Sequence, residues 1–548
     1  MVYTSIHKGW VRMAGTIMEQ IGLCLDKKEN FLLSGGAGSG KTYTLVQTLH
    51  HVFGKNPKVR VACITYTNVA SNEIKERSPY SKLHVSTIHD FLWDEIKDYQ
   101  KNLKQTVLAL ISERTATAGA GLSCSGENPI TEDSFTSVQY QNYRDLEHGI
   151  ISHDDLLKVA NYMFATYPLL SKILSDKYDY IFVDEYQDTQ KAVIEIFLEH
   201  IKAAAQNSLC IGFFGDRMQS IYDTGIGNIQ PYIDSNAVHE IIKDDNYRCA
   251  VKVIELLNRI RSDIKQQPAK KNPDGTIANK PGTVFFLYSN SDFNFATFQS
   301  SGYAAEWDFE NYAETKVLFL THRLSAVRLG FAELLAAFPN NDRIIGNEPD
   351  RLAQHLLKIG SVLYYFKEKQ YAFVIDTIQG KIKTNAEKQY ISTVLSRLND
   401  SVNTITIEEM INAFDKEGII RKGDRFDEYK EKYKDVYEKL KTLPSAQIIS
   451  YFTYYNSFSP YSTQHGIKGA EFDNVLVVMD NGRWNKYNFK YYFEKTPNKE
   501  SVFQRTERIF YVCWSRTKKN LVVYYPKPTA VVIEQAKVLF GDANVQKL

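Results

Sequence analysis

A glycine-rich segment followed by lysine and threonine is the clearest chemical signal in the sequence. It reads GGAGSGKT, follows the apolar run 31–34 and opens a helical pattern. Glycines let the backbone curl so that several N–H groups face the same phosphate oxygens, and the helix that follows adds a favourable dipole. The lysine can place its charge on the β and γ phosphates, and the threonine hydroxyl can bind Mg²⁺. The segment predicts a nucleoside triphosphate site at Gly35, Gly36, Ala37, Gly38, Ser39, Gly40, Lys41 and Thr42.

The second signal is a pair of acids directly after an apolar run, in YIFVDEYQD over 180–188. Ligands of open α/β sheets bind at the carboxyl ends of the strands, so the two acids are expected at that edge. Asp184 is predicted to hold Mg²⁺, directly or through water, together with Thr42. Glu185 is predicted to orient and deprotonate the attacking water. Alone, such a pair is an ordinary loop start; beside the phosphate loop it indicates hydrolysis.

Short apolar runs alternate with helical patterns along the chain. The runs at 31–34, 59–65, 180–185 and 209–216 are continuously apolar, which is typical of strands buried on both faces. Similar runs return at 283–288, 316–321, 474–480 and 520–525, and a helix is predicted over 189–205. Strands that alternate with helices indicate parallel sheets. The sequence therefore predicts an α/β protein with two cores.

These patterns also predict the domain boundaries. The first core is assigned to residues 1–262, with an insertion at about 93–150 that contains the loop-like segment 119–129. A polar linker follows at 263–282, and the second core comprises 283–340 and 455–548. A mainly helical insertion, 341–454, interrupts it, and its charged segment 421–441 is predicted as one helix with a solvated face.

Composition narrows the class of protein. The chain is 43% hydrophobic and 24% charged, the balance of a soluble globular protein. No apolar run reaches the roughly 18–20 residues of a membrane helix, and the first residues do not resemble a secretory signal, so a cytoplasmic protein without membrane partners is expected. The six cysteines occur singly, without a C-x-x-C pair, which predicts neither a zinc site nor disulfides. A net charge of +2 argues mildly against nucleic-acid binding, so that function has to rest on motifs.

Eight segments, in order from about residue 15 to 525, resemble those of the UvrD/Rep/PcrA family of superfamily-one helicases. The resemblance implies two RecA-like P-loop NTPase domains with mainly helical insertions. It also implies ATP and Mg²⁺ as cofactors, and movement along single-stranded DNA from 3′ to 5′. Besides the phosphate loop and VDEYQD, the segments are CITYTNVASNEIKER (63–77), VSTIHDF (85–91), GDRMQSIY (215–222), NYRC (246–249), STQHGIKGAEFDNV (462–475) and RIFYVCWSRTKKNLVV (508–523).

The resemblance implies roles at the nucleotide. Gln219 is expected to contact the γ-phosphate and report hydrolysis to the DNA path, and Arg248 and Arg516 to reach the same phosphate. An arginine in that place is worth roughly 10³–10⁵ in rate. Because Arg516 belongs to the second core, hydrolysis is expected to require closure of the two domains. The other expected nucleotide contacts are Gln20 near the adenine, Tyr43 where the family usually has arginine, Tyr247 against the base, and Gly469 and Glu471 from the second core.

The resemblance also implies a nucleic-acid path across both cores. Tyr66 is expected to stack on a base, with Tyr222 as another platform. The other expected DNA contacts are Thr65, Asn68, Thr87, His89 and His465. After Tyr222 the family usually continues with a small residue, an aromatic and Arg-Gly, whereas this chain has DTGI over 223–226. A ring and an arginine are therefore missing, which argues against efficient stepping or unwinding.

Three other functions compete with the helicase. The compact size and the altered 223–226 segment resemble helicase-like subunits of bacterial anti-phage systems such as Gabija, which work beside a nuclease; this predicts a DNA-sensing regulatory ATPase. A GTPase would need an N-K-x-D segment, but Asn279-Lys280 is followed by proline and glycine without the acid. A nuclease within this chain lacks a compact acid cluster beyond the Mg²⁺ site.

Overall fold

The computed structural model describes residues 15–116, 121–122, 130–205, 208–221, 229–346, 348–378, 384–423, 426–482 and 484–548. The chain divides into two units. The first comprises Met1–Cys249 and Asn258–Asn279, and the second Ala250–Leu257 and Lys280–Leu548. Most of the loop-like segment predicted at 119–129 lies outside the described residues.

The first unit is built on a parallel sheet. Its strands are β1 Phe31–Gly35, β2 Val61–Thr65, β3 Leu83–Thr87, β4 Gln139–Tyr140, β5 Ile150–Ile151, β6 Tyr180–Val183, β7 Cys210–Gly215, β8 His239–Lys243, β9 Asp245–Asn246 and β10 Gln267–Pro268. Within the described residues the main sheet has six strands in the order β3-β2-β6-β7-β1-β8. Leu32 of β1 pairs with Phe213 on one side and with Glu240 on the other. Strands β1, β2 and β7 are buried along their whole length, which explains their continuous apolar runs.

Helices cover both faces of this sheet. They are α1 Ile17–Lys27, α2 Lys41–Lys55, α3 Asn68–Arg77, α4 Ile88–Ile96, α5 Gln100–Ala116, α6 His153–Thr166, α7 Pro168–Lys177, α8 Lys191–Glu195, α9 Lys202–Ala205, α10 Gln230–Asp234 and α11 Val251–Ile260, the last of which crosses the division between the units. One apolar core joins Leu32 of β1 to Phe91 of α4, and the other joins Phe31 to Leu45 of α2. The helix predicted over 189–205 is α8 and α9 joined by a π-helical turn, Ile196–Ile201.

The second unit repeats the parallel-sheet plan. Its strands are β11 Thr283–Ser289, β12 Thr315–Phe319, β13 Tyr461–Thr463, β14 Phe472–Val478, β15 Thr517–Pro526 and β16 Val545–Lys547, in the order β13-β12-β14-β15-β11-β16. A row of hydrogen-bonded polar side chains, most of them buried, joins the amino-terminal parts of four strands. Asn520 accepts from Thr283 at 2.9 Å and donates to Asn474 at 2.9 Å, and Asn474 donates to Thr315 at 3.3 Å. The α/β class predicted from the sequence is confirmed, whereas the predicted domain boundaries stay predictions.

The remaining helices lie between the strands of the second unit in the chain. They are α12 Phe295–Gln299, α13 His322–Leu329, α14 Ala332–Ala337, α15 Asp342–Ile345, α16 Arg351–Lys367, α17 Tyr371–Ile378, α18 Asn385–Ser401, α19 Ile407–Lys416, α20 Phe426–Lys432, α21 Lys434–Leu440, α22 Ala446–Tyr455, α23 Phe489–Glu494, α24 Glu500–Trp514 and α25 Ala530–Phe540. Helices α13 to α22 share an apolar core of their own that includes Leu356, Met410 and Tyr451. Among the described residues, no helix has the length and apolar character needed to cross a membrane.

The charged segment 421–441 differs from its prediction. It forms two short helices, α20 and α21, which are separated at Tyr433 (φ −116°, ψ 35°). The guanidinium of Arg343 lies 4.1 Å from the centre of the Tyr433 ring, and Val436 and Leu440 are buried in the helical core. The single-helix prediction is wrong because the break coincides with a contact to a distant part of the chain, which charge periodicity does not report.

Candidate functional site

The glycine segment forms a tight loop between β1 and α2. Gly38 and Gly40 adopt φ of +72° and +77°, a left-handed conformation that side chains rarely tolerate. A Cβ atom at Gly38 would also lie 2.6 Å from the Cβ of Arg248. Gly40 caps the amino end of α2, so the first N–H groups of that helix face the loop. The backbone therefore has the form of an anion-binding turn.

Lys41 and Thr42, the first residues of α2, turn back toward the sheet. The Lys41 ammonium donates to the carbonyl oxygen of Gly35 at 3.0 Å, and the Thr42 hydroxyl donates to the Asp184 carboxylate at 3.3 Å. Burial and the neighbouring Glu185 raise the pKa of Asp184. A buried carboxylate with these neighbours is a favourable place for a cation. The structure thus brings together residues that the sequence places 142 positions apart.

Glu185 follows β6 in a strained conformation. Its φ of +50° lies in the left-handed region, which costs a non-glycine residue roughly 1–2 kcal/mol. The buried side chain of Gln187 holds it there, because this amide donates to the Glu185 carboxylate and accepts the N–H of Asp216 at 3.0 Å. Backbone strain that neighbours enforce is typical of functional positions. Gln187 was not predicted as a site residue, although it lies within the acid segment.

Gln219 belongs to a buried network at the end of β7. Its amide donates to the Asp216 carboxylate at 3.0 Å, and the buried Arg261 guanidinium donates to the same carboxylate at 3.2 Å and to Asp263 at 2.8 Å. Burial opposes ionisation of Asp263, but hydrogen bonds from Arg261 and Arg217 outweigh it and hold the pKa of that carboxyl well below its usual range. The network fixes Asp216 and, through it, Gln219.

The NYRC segment and one residue of the predicted linker brace the glycine loop. Asn246 and Gln266 both donate to the carbonyl oxygen of Ala37, at 3.1 Å and 3.0 Å. A Cβ atom at Gly36 would meet the Gln266 amide at 2.3 Å, so a side chain there would displace this brace. The N–H of Tyr247 donates to Gly38 at 2.8 Å. Sequence reasoning missed Gln266, and nothing in its surroundings within the predicted linker marks it.

The remaining predicted nucleotide residues of the first unit lie around this loop or on α1. Tyr43 and Tyr247 are 63% and 43% exposed, and the Cβ of Tyr43 and the ring of Tyr247 both lie within 4.0 Å of the position of a Cβ at Gly40. Ser39 is fully buried, and its hydroxyl has no hydrogen-bond partner within the part of the chain that the structure describes. Gln20, on α1, donates to the carbonyl oxygen of Gly15 at 3.0 Å.

The predicted nucleotide residues of the second unit come together at the amino edge of its sheet. The N–H of Phe472, at the start of β14, donates to the carbonyl oxygen of Arg516 at 2.9 Å. The Arg516 side chain is buried and donates to the carbonyl oxygen of Val512 at 3.0 Å. Glu471 is exposed, and Gly469 has φ of +89° with open space where a side chain would lie.

The carboxyl end of β2 presents the predicted DNA residues of the first unit. Tyr66 is 41% exposed, and Asn68 is exposed at the start of α3. The hydroxyl of Thr65 is buried and pairs with Ser71 at 2.6 Å, so its observed role is to hold the turn beneath Tyr66. Thr87 caps α4, accepting the N–H of Asp90.

An aromatic cluster surrounds His89. Its ring centre lies 4.8 Å from that of His153, the first residue of α6, and Tyr140 hydrogen-bonds to His153. Burial and the neighbouring His153 lower the pKa of His89 to about 4, so this imidazole is neutral at neutral pH. Sequence reasoning missed His153 and Tyr140.

His465 has similar surroundings in the second unit. It follows β13, and its Nε2 atom forms a 2.7 Å hydrogen bond with the hydroxyl of Tyr487. The ring of Trp484 lies 5.3 Å away. Neither aromatic residue was predicted. Tyr222, the other predicted platform, lies outside the described residues, as does the 223–226 segment.

Comparison with known proteins supports the resemblance. A family model described as "AAA domain" matches residues 24–224. The chain is 28% identical to the Gabija protein GajB of Bacillus cereus (strain HuB5-5), over 94% of this chain and 96% of that protein. It is 25% identical to DNA helicase II of Rickettsia typhi, over 46% of this chain and 45% of that protein. It is also 25% identical to the ATP-dependent DNA helicase PcrA of Staphylococcus aureus (strain Mu50 / ATCC 700699), over 47% of this chain and 41% of the helicase.

These matches differ in extent. The similarity to the Gabija protein runs along almost the whole of both chains, whereas the similarity to the two helicases covers less than half of each. The phosphate loop and the acid pair both lie inside the matched AAA segment. In its linked motifs, its two parallel-sheet units and these matches, the chain is similar to the UvrD/PcrA-type helicases of superfamily one.

Proposed function

We propose that the chain hydrolyses ATP with Mg²⁺ and uses the cycle to move along single-stranded DNA, in the 3′ to 5′ direction that the family resemblance implies. One observation carries the proposal. Lys41 and Thr42, which begin α2, meet Asp184 and Glu185, which follow β6, at the carboxyl edge of one sheet. A phosphate loop, a metal-binding carboxylate and a general base are the parts that triphosphate hydrolysis requires.

The residues of the loop fit a bound triphosphate. The left-handed glycines direct backbone N–H groups inward, and the buried hydroxyl of Ser39 lacks the partner that a phosphate oxygen would supply. Thr42 and Asp184 would hold Mg²⁺, which when bound neutralises part of the triphosphate charge. Tyr43 and Tyr247 offer exposed rings on which the adenine would stack.

Glu185 is assigned to orient the attacking water and accept its proton. Its carboxylate accepts from Gln187, which also binds the backbone of Asp216, so the base and the Gln219 network are mechanically linked. Gln219 is assigned to sense the γ-phosphate. A change in the position of Gln219 would therefore reach Glu185 through two hydrogen-bonded side chains.

Two arginines are assigned to the phosphate that is cleaved. Arg248, whose backbone packs against Gly38, and Arg516 of the second unit are assigned to the γ-phosphate. Gly469 and Glu471 are assigned to the nucleotide from the same edge as Arg516. An arginine that neutralises charge developing in the transition state is worth roughly 10³–10⁵ in rate, so hydrolysis would depend on the second unit.

The nucleic-acid path is assigned to the carboxyl edges of the two sheets. Tyr66 would stack on a base, while Asn68 and the capping hydroxyl of Thr87 lie beside it. Because His89 is neutral at neutral pH, it would act as a hydrogen-bonding or stacking group and not as a fixed cation. His465 would play the matching part on the second unit.

A second candidate function is favoured by one comparison. The similarity that spans nearly the whole chain is to a protein named for the Gabija system, and not to a free-standing helicase. We therefore also propose that the ATPase serves as a DNA-sensing subunit beside a nuclease. In that case DNA would still stimulate hydrolysis, but unwinding by the isolated chain would be weak.

An ATPase assay tests the shared chemistry. We expect ATP turnover to rise with single-stranded DNA and to be lost in Lys41→Ala and Glu185→Gln. Each variant is compared with Lys58→Ala, which removes an exposed lysine beyond the end of α2. Equal turnover with and without every nucleic acid tested, in the wild-type protein, would contradict the translocation proposal.

A second assay separates the two candidates. Strand separation and turnover are measured on the isolated chain and in the presence of any nuclease that is encoded beside its gene. Strong unwinding by the chain alone favours the helicase. Weak unwinding, together with DNA-dependent ATP turnover that changes nuclease activity, favours the sensing subunit.

A further inference from the structure

The helical part of the second unit contains a cavity of about 330 Å³. Three segments contribute to it: the start of α16, the chain before α20, and helices α20 and α21. Its volume is at the lower end of the range for small-molecule sites. The cavity is lined by Arg351, Leu352, His355, Lys422, Gly423, Phe426, Tyr429, Lys430 and Tyr437.

Cations and aromatic rings alternate around this cavity. The guanidinium of Arg351 lies 4.9 Å from the centre of the Tyr429 ring, and the ammonium of Lys430 lies 4.7 Å from that of Tyr437. Lys422 approaches the Phe426 ring at 5.8 Å. These are cation–π distances, so the charges are held at the faces of the rings. The lining therefore offers flat apolar surface and positive charge side by side.

The cations have only loose carboxylate partners. Lys430 lies 3.8 Å from Glu408, and Lys422 lies 4.0 Å from Asp415; both distances exceed those of a hydrogen-bonded ion pair. These side chains are between 30% and 43% exposed, so the pairs are worth little. Within the described residues, Arg351 has no carboxylate within 4.0 Å. An entering anion would thus replace weak ion pairs, and at Lys422 it would compete with a 2.6 Å hydrogen bond to the Asn412 side chain.

A histidine adds a polar group to the wall. The ring of His355 lies 5.2 Å from the Phe426 ring, and its Nε2 atom is buried without a hydrogen-bond partner among the residues that the structure describes. A buried nitrogen left unpaired costs roughly 1–3 kcal/mol, which a ligand group could recover. Burial and the charge of Lys358 lower the pKa of His355 to about 4, so the ring is neutral at neutral pH.

We propose that this cavity binds a mononucleotide, with its base against Phe426, Tyr429 and Tyr437 and its phosphate on Arg351, Lys422 and Lys430. A base needs flat π surface, and a phosphate needs converging cations; a planar guanidinium suits the phosphate best. The site is separate from the phosphate loop, since every lining residue belongs to the second unit. The same chemistry could come from a free nucleotide or from the phosphorylated end of a DNA strand.

The test counts binding sites by equilibrium titration. Fluorescent AMP is added to the full chain and to Lys41→Ala, which disables the phosphate loop. We expect Lys41→Ala to retain one site per chain, and Arg351→Ala with Lys422→Ala to weaken it at least about tenfold, the loss expected when charged partners of a phosphate are removed. Lys388→Ala with Lys416→Ala is the matched control, because both lysines are exposed in the same helical region and do not line the cavity. Tyr429→Ala provides a second variant that leaves the charges intact.

Competition identifies the source of the ligand. Unlabelled AMP that displaces the probe supports a free nucleotide, and a 5′-phosphorylated oligonucleotide that displaces it where the unphosphorylated strand fails supports a strand end. The proposal is overturned if Lys41→Ala binds no AMP, or if neither the double variant nor Tyr429→Ala weakens binding. It is also overturned if inorganic phosphate competes as well as AMP does. Failure of the phosphate-loop proposal is recognised separately, as ATP turnover that Lys41→Ala does not lower.

Discussion

The two units use opposite edges of similar sheets for the predicted nucleotide chemistry. In the first unit, Lys41, Asp184 and Glu185 lie where β1 and β6 end, at the carboxyl edge. In the second unit, Glu471 and Arg516 lie where β14 and β15 begin, at the amino edge. The predicted DNA residues follow a different rule, since Tyr66 and His465 both come after the carboxyl ends of their strands. A repeated fold therefore does not imply a repeated site.

The edges also differ in how their groups are held. At the carboxyl edge of the first unit, called the first edge, buried amide and guanidinium side chains hold the site, notably Gln187, Gln266 and Arg261. At the amino edge of the second unit, called the second edge, Arg516 is bonded to its own helix and Glu471 is exposed. The proposed function assigns nucleotide binding to the first unit and a part in the chemical step to the second. Variants at each edge test this assignment.

The largest expected effect is on the second edge. Arg516→Ala should lower kcat for ATP by roughly 10³–10⁵, because it removes the charge assigned to the transition state, while the affinity for nucleotide changes much less. Turnover and nucleotide binding are measured on the same preparation. Since Arg516 is buried, thermal unfolding is followed as well, and Arg516→Lys serves as a control that keeps the charge. If a folded Arg516→Ala protein turned over ATP at the wild-type rate, Arg516 of the second unit would not contribute to the chemical step.

The next effect concerns the network that holds the first edge. Arg261→Met should reduce the free energy of unfolding of the first unit by about 3–5 kcal/mol, because it leaves the buried Asp216 without its cation and Asp263 with Arg217 alone. Calorimetry measures the change. Lys252→Met, at an exposed position of α11, should change stability by less than about 0.5 kcal/mol. If the two variants behave alike, the first edge does not depend on this network.

The parts of the molecule that the sequence predicts well are those fixed by local spacing or by burial on both faces. The run 31–34 is a strand because Phe31 and Leu33 face one core while Leu32 faces the other. The glycine loop is recognisable because its conformation needs glycine at Gly38 and Gly40. Local pattern is enough in these cases, since the physical requirement is contained in a few neighbouring residues.

The parts that the sequence does not predict depend on contacts between distant segments. Gln266 braces the loop from 229 positions away, and Arg261 binds Asp216 across 45. Both are ordinary polar residues until the fold brings their partners to them. The break at Tyr433 has the same origin, because Arg343 comes from another helix. The predicted roles of the site residues stay predictions that the variants described here test.

The stacking role proposed for Tyr66, at the carboxyl edge of the first unit, is tested by removing its ring. Tyr66→Ala should raise the concentration of single-stranded DNA that half-saturates the ATPase, by the equivalent of about 1–3 kcal/mol, the value of one stacked base. DNA-independent turnover should stay unchanged. Tyr66→Phe should retain most of the affinity. Tyr143→Ala removes a tyrosine that is also exposed, at 53%, and should have no effect. A loss as large in Tyr143→Ala would point to nonspecific binding.

A smaller effect, on the KM for ATP, is expected at Gln266, which holds the glycine loop. Gln266→Ala removes a hydrogen bond to the carbonyl oxygen of Ala37 and the contact over Gly36, so the loop is held less firmly. We expect the KM for ATP to rise about tenfold, the equivalent of about 1.4 kcal/mol, with little change in kcat. Gln267→Ala, at the exposed neighbouring position, is the matched control. A drop in kcat without a change in KM would place Gln266 in the chemistry and not in positioning.

The smallest effect concerns how the insertion of the first unit joins its sheet. Burial opposes ionisation of Asp155, but hydrogen bonds from Arg144 and Ser152 outweigh it and hold its pKa below the usual range. Because the folded pKa is depressed, the ionised group stabilises the fold above its unfolded pKa, near 3.9, and that stability is lost as pH falls through the folded value. Asp155→Asn should therefore destabilise the protein at pH 7, by about 1 kcal/mol given that Arg144 is partly exposed, and by less at pH 3, which is below the unfolded pKa.

Urea unfolding at both pH values measures this dependence. Asp154→Asn, at the exposed neighbouring position on α6, is the control and should leave the pH profile unchanged. A penalty for Asp155→Asn that is equal at pH 7 and pH 3 would mean that the residue acts through packing or its cap on α6, and not through its charge. The ion pair to Arg144 would then contribute nothing to holding the start of α6, where His153 faces His89 at the predicted DNA edge.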